Sequence, residues 1–107
     1  MEDLLEKAVE IIRREIEKRN IRILKIILFG SRARGDFKID SDWDFLVVIK
    51  EEISREEKWD IILEIKRELA RLRVPNDVII ASERSIEWKS KDVGDIVYYA
   101  LKEGIEL

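Results

Sequence analysis

The chain contains no cysteine, histidine, glutamine or threonine, one proline and only four glycines. Without cysteine there is no disulfide, thiolate nucleophile or zinc–sulfur centre. Without histidine there is no Ser-His-Asp relay and no imidazole base or ligand. Chemistry is left to carboxylates, amines and hydroxyls. Any metal must be held by oxygen, which favours Mg²⁺ or Mn²⁺. No run of about eighteen apolar residues occurs, so no membrane span is expected. The opening segment, "MEDLLEKAVE", is acidic and amphipathic, unlike a signal peptide, and a cytoplasmic location is expected. A basic excess is missing too. Lys and Arg number 21 against 24 Asp and Glu, for a net charge of −3, which argues against strong direct nucleic-acid binding.

What is present suits one compact domain over residues 1–107, since 46% of the 107 residues are apolar. Isoleucine, glutamate, lysine and arginine are plentiful, a bias resembling that of heat-adapted proteins, so a thermophile source is expected.

Residues 3–19 place Leu4, Leu5, Ala8, Ile11, Ile12 and Ile16 at helical spacing, with Asn20 as a left-handed stop. Residues 23–29 read as a buried strand, and residues 45–49 as another that starts from about Trp43. Ser54 and Glu57 form a capping box for a helix whose stripe is Trp59, Ile62, Ile65, Leu69 and Leu72, ended before Pro75. Residues 77–80 read as a third strand and 85–91 as irregular. Residues 93–102 read as a last helix, stopped by Gly104. Trp59 and Trp88 are read as core or rim packing rather than base-stacking platforms, and Tyr98 and Tyr99 as helix packing with room for one of them to be exposed.

The segment "GSRARGDFKIDSDWD", residues 30–44, joins the first two strands. Asp42 and Asp44 are two apart at a strand start, so their carboxylates share a face while Trp43 points the other way. Asp77 starts the third strand. A β–α–β connection makes the second and third strands parallel, which brings the three carboxylates to one edge of the sheet. Like charges about 4 Å apart repel by roughly 4 kcal/mol at an effective dielectric near 20, so such a cluster calls for a cation. At the loop's other end, Gly30 lets an anion approach the backbone and Ser31 can cap a short turn. Arg32 and Arg34 carry charge suited to phosphate oxygens. If both ends serve one ligand, the first two strands must be antiparallel. Each feature alone has an ordinary reading: a solvated strand end, a turn, exposed arginines. Their order and placement together point to a metal–polyphosphate site.

These residues resemble a known family. Gly30-Ser31, ten residues, then Asp42-Trp43-Asp44 match the G-S-x₁₀-D-x-D signature of DNA polymerase beta-like nucleotidyltransferases. The wording "FGSRARGDFKIDSDWDFLVVI" is most similar to the minimal nucleotidyltransferase (MNT) domains, and the resemblance covers nearly the whole chain. It implies an α/β fold of the α+β kind, with a small mixed sheet packed with helices. It implies that Gly30 and Ser31 hold nucleotide phosphates, with Arg32 and Arg34 in support. Asp42, Asp44 and Asp77 would hold two Mg²⁺ ions, and Asp77 would also help deprotonate an attacking hydroxyl. The reaction implied is transfer of AMP from ATP. Because MNT domains are typically paired with HEPN toxins, the implied acceptor is a tyrosine of a HEPN partner and the implied role is that of an antitoxin. Two other readings stand beside it: a non-catalytic module that neutralises a HEPN protein by complex formation, and a small-molecule nucleotidyltransferase. Oligomerisation, with itself or with a partner, is left open.

Overall fold

The computed structural model describes residues 2–107. The elements are helix α1 (Glu2–Glu17), strand β1 (Ile23–Phe29), the one-turn helix α2 (Ser31–Arg34), strand β2 (Trp43–Ile49) and helix α3 (Arg55–Arg71). Strand β3 (Asn76–Ser82), helices α4 (Glu83–Lys89) and α5 (Ile96–Glu103) and strand β4 (Ile105–Glu106) follow. The four strands form one mixed sheet in the order β3-β2-β1-β4. β1 runs antiparallel to β2 and to β4, while β2 and β3 are parallel. The expected mixed α/β fold and both expected strand pairings are what the chain adopts.

β2 is an apolar run because it is central and covered on both faces. Trp43, Phe45, Val47 and Ile49 pack with α1 and α3, through Ile12, Ile16, Ile61 and Ile65 among others. Leu46 and Val48 pack on the other face with Val97 and Ala100 of α5 and with Ile86 of α4. Asp44 lies between Trp43 and Phe45 and so belongs to the α4–α5 face. Asp77 shares that face, because its neighbour Val78 belongs to the opposite core.

The chain's punctuation explains most boundaries. Asn20 closes α1 at φ 60°, the left-handed conformation expected of it. The Ser54 hydroxyl accepts from the Glu57 amide at 3.0 Å and starts α3. After α3, Arg73 takes φ 57°, and the Pro75 carbonyl accepts from the Trp43 amide at 2.8 Å.

Several expectations are corrected. Residues 85–91 are not irregular: α4 covers most of them, capped by the Ser82 hydroxyl accepting from the Ser85 amide. The last helix starts at Ile96 rather than 93, because Asp95 accepts from the Val97 amide at 2.8 Å and sets the start. Gly104 is followed by β4, which the sequence reading did not anticipate. A Cβ at Gly104 would overlap the Ile27 side chain and the Ala100 carbonyl, so only glycine lets the chain pass close to β1. Of the core and rim places open to them, Trp59 and Trp88 take the rim, 55% and 63% exposed, and Ile61 takes the inward place that the helix stripe gave to Trp59. Of the two tyrosines, Tyr99 is the exposed one that the expectation allowed, with Tyr98 edge-on to it at 5.3 Å.

Candidate active site

β1 ends at Phe29, which is paired with Asp44 across the antiparallel ladder. On its other side Asp44 is paired with Asp77 across the parallel ladder. Adjacent strands lie about 4.8 Å apart, so the sheet itself holds these two carboxylates as neighbours. Asp42 precedes β2 and is exposed, and Asp44 is half-buried. Burial pushes the Asp44 carboxyl above the usual aspartate range, and the charges of Asp77 and Asp42 push it the same way. Arg34 and Lys66 oppose that rise. Of the three acids expected to meet, Asp42 and Asp77 both act on Asp44.

Gly30 follows Phe29 at φ 74° and is the residue that opens α2. A Cβ at Gly30 would overlap the Asp44 carboxylate, so the absence of a side chain is what lets the loop and the carboxylate share this space. The expected capping role of Ser31 is corrected. Gly30 occupies the N-cap position, no side chain bonds there, and the Gly30 carbonyl accepts from the Ala33 and Arg34 amides at 3.1 and 3.0 Å. The Ser31 side chain is thus not spent on a cap.

The two arginines part company. Arg32 stacks between aromatic rings, its guanidinium carbon 4.4 Å from the Phe37 centroid and 4.5 Å from that of Trp43. It also donates to the carbonyls of Ile39 and Ser41 at 3.1–3.3 Å. Trp43 faces away from Asp44, so Arg32 lies on the far side of β2 and braces the loop. Arg34 is on the carboxylate side, ion-paired with Asp36 at 3.5 Å and Glu103 at 3.4 Å.

Lys66 of α3 is the site residue that the sequence reading missed. Its ammonium donates to the Asn76 carbonyl at 3.0 Å and lies 3.8 Å from Asp77 Oδ1. Nothing local marks this lysine among the many on helix surfaces. Its reach across to the start of β3 exists only in the fold.

By donor chemistry, Asp42, Asp44 and Asp77 fit a hard divalent cation, and the net repulsion at Asp44 fits a place for one. Among the described residues, no three acidic side chains are placed closely enough to hold a metal ion between them as they stand. The donors stand near one another without converging on a point. Acidic side chains clustered at a sheet end, beside a loop that only glycine can open, give an arrangement able to bind a polyphosphate through a cation.

The comparisons agree with this layout. By sequence the chain falls in the nucleotidyltransferase class of domains. More particularly, residues 10–105 match the family described as polymerase beta, nucleotidyltransferase, and the chain belongs to that family. The resemblance read from Gly30, Ser31, Asp42 and Asp44 is thereby borne out at family level. A candidate protein adenylyltransferase of Methanocaldococcus jannaschii is 44% identical over 57 residues, 49% of this chain and 57% of that protein. The match spans little more than half the length of that relative. Among solved structures, one chain of a toxin–antitoxin complex with AMP-PNP superposes with a TM-score of 0.63 at 18% identity, over 94% of this chain and 69% of that one. A chain of an MntA–HpeT toxin–antitoxin mutant carrying two aspartate-to-glutamate changes superposes at 0.59 with 17% identity, over 94% and 69% of the two chains. These likenesses establish the fold. Among the described residues no helix is long and apolar enough to cross a membrane.

Proposed function

We propose that this domain is a Mg²⁺-dependent protein adenylyltransferase that moves AMP from ATP to a tyrosine hydroxyl of a partner HEPN toxin, acting as its antitoxin. The observation that carries the reading is the pairing of Asp44 with Asp77 in register, with Gly30 bare against the Asp44 carboxylate. The 44%-identical relative with an adenylyltransferase name and the toxin–antitoxin neighbours support the choice of reaction and partner.

Asp42, Asp44 and Asp77 would hold the divalent ions. Two bound Mg²⁺ ions would supply charge neutralisation for the triphosphate and for the developing negative charge. Gly30 leaves room for phosphate oxygens at the loop backbone, and the Ser31 hydroxyl can donate to them. Arg34, on the carboxylate side, is the better placed of the two arginines to meet phosphate, and Arg32 keeps the loop in shape. Asp77 Oδ accepts the proton of the tyrosine hydroxyl as its oxygen bonds to the α-phosphorus. The bond from that phosphorus to the bridging oxygen breaks, and pyrophosphate leaves. Docking of a whole protein positions the hydroxyl, so the domain requires little acceptor pocket of its own. The transferred phosphate adds negative charge to a toxin that must bind RNA, which weakens the toxin.

The test is intact-mass spectrometry of the HEPN partner after incubation with ATP and Mg²⁺. AMP additions should appear on a tyrosine with the native chain and vanish with Asp42→Asn/Asp44→Asn. Full neutralisation of the toxin by that variant, with no modified partner, would overturn the enzymatic reading in favour of complex formation alone.

A further inference from the structure

The opposite end of the sheet carries a second charged pocket. The three aspartates sit at the starts of β2 and β3, whereas this pocket lies at their ends, about 20 Å away along seven-residue strands. It has a volume of about 230 Å³, and its lining includes Lys58, Lys89, Trp88, Ser82 and Ser85 together with the carboxylate of Glu52. The acids nearby are already engaged. Glu52 turns to Arg84 at 3.8 Å, and Glu83 takes Lys50 at 2.8 Å. Among the described residues, neither Lys58 nor Lys89 has a carboxylate within ion-pair distance. Two lysines without a direct ion-pair partner thus line one pocket, beside the single carboxylate of Glu52, in a chain with more acids than bases. Burial, with the charges of Lys89 and Arg55, holds the Lys58 ammonium below the usual lysine range. The Lys89 ammonium lies 5.6 Å from the Trp88 ring, and that indole is largely exposed at the rim.

We propose that this pocket is a second anion site that takes the phosphate of a nucleotide, with Lys58 and Lys89 as cationic donors and Trp88 as the surface on which the base rests. An anion here removes the repulsion between the two ammonium groups and leaves each with a charged partner. An exposed indole beside a phosphate position offers a stacking face of the kind single nucleotides use. The volume admits a phosphate with part of its sugar and leaves the base to the rim. The inference is independent of the proposed transfer reaction.

The test uses the full chain in EDTA, so that metal-dependent binding at the aspartates is silent. Amide and indole N–H signals are followed by NMR during titration with AMP, with inorganic phosphate and with a short 5′-phosphorylated RNA. AMP should shift the Ser85 amide and the Trp88 indole, and inorganic phosphate chiefly the former. A tighter response to the RNA identifies a strand end as the source, and an equal one a free nucleotide. Lys58→Gln/Lys89→Gln should weaken AMP at least about tenfold, the scale of one charge-assisted hydrogen bond. Lys58→Arg/Lys89→Arg should retain binding. No shift at Ser85 or Trp88 with any of the three probes, shifts confined to the loop after Gly30, or unaltered affinity in the double glutamine variant would overturn the proposal.

Discussion

Glu15 and Asp44 are both carboxylates withdrawn from water, yet their surroundings act on them in opposite directions. Glu15, only 4% exposed, receives Lys18 at 2.8 Å, Arg19 at 3.5 Å and Arg14 at 3.7 Å. The Lys18 hydrogen bond, with help from Arg19, holds its carboxyl below the usual glutamate range despite burial. Asp44 has acids for neighbours, and burial and repulsion raise it. The fold completes the first charge from its own side chains. It leaves the second without a full set of counter-charges, which is what the proposed metal site requires. A buried charge with partners marks architecture; one without marks an invitation.

The sharpest way to test that contrast is to neutralise each in turn. Asp42→Asn/Asp44→Asn should lower nucleotidyl transfer by about 10³-fold or more, the scale seen when electrostatic stabilisation is lost. In EDTA its melting temperature should equal or exceed that of the native chain. A clear fall would make the aspartates architectural and break the comparison. Glu15→Gln should do the reverse, costing about 1–2 kcal/mol in urea unfolding while transfer at low temperature is unchanged. That is less than for a fully buried pair, because Lys18 and Arg14 are about half exposed and regain water.

Acid should erase both differences, for opposite reasons. Asp44 is raised, so its contribution to stability is present below the ordinary aspartate pKa of about 3.9 and is lost as pH rises through its folded value. Asp44→Asn should therefore be the more stable chain at pH 7 and converge with the native chain in acid. Glu15 is lowered, so its contribution is present above about 4.3 and lost as pH falls through its folded value. Glu15→Gln should be less stable at pH 7 and converge from the other side. Thermal melts across pH 3–7 would show the two curves closing, and parallel curves would sink the electrostatic account. The smallest effect is expected at Lys66. Lys66→Met should change stability by no more than about 0.5 kcal/mol, yet raise the Asp44 titration further, as read by carboxyl carbon NMR.

The sequence disclosed what depends on local pattern. β1 was legible to the residue and β2 all but its start, because each is a continuous apolar run between charged loops. The pairing of Asp44 with Asp77 was legible because strand alternation and one parallel connection are enough to bring them into register. α4 was missed because only Ile86 packs among its seven residues, too little to create a period. β4 is two residues long and exists through pairing with Ile27 and Leu28. The positions of Arg32 and Lys66 were out of reach for a different reason. Each is defined by what a long side chain touches across a loop or an element, and spacing says nothing of that. Arg32 looked like a phosphate ligand by type and proved to be a brace.

That brace bears on how the loop meets its visitors. Arg32 ties the carbonyls of Ile39 and Ser41 to a cation wedged against Trp43, itself part of the core. Asp42 therefore hangs from a segment anchored like a hinge pin rather than a free tether. A ligand arriving there finds the loop's conformational entropy already lost during folding, so little more is forfeited at capture. The same anchoring limits accommodation: a guest of a different size meets a loop that resists reshaping. Discrimination at this end of the sheet then rests on rigidity as much as on charge.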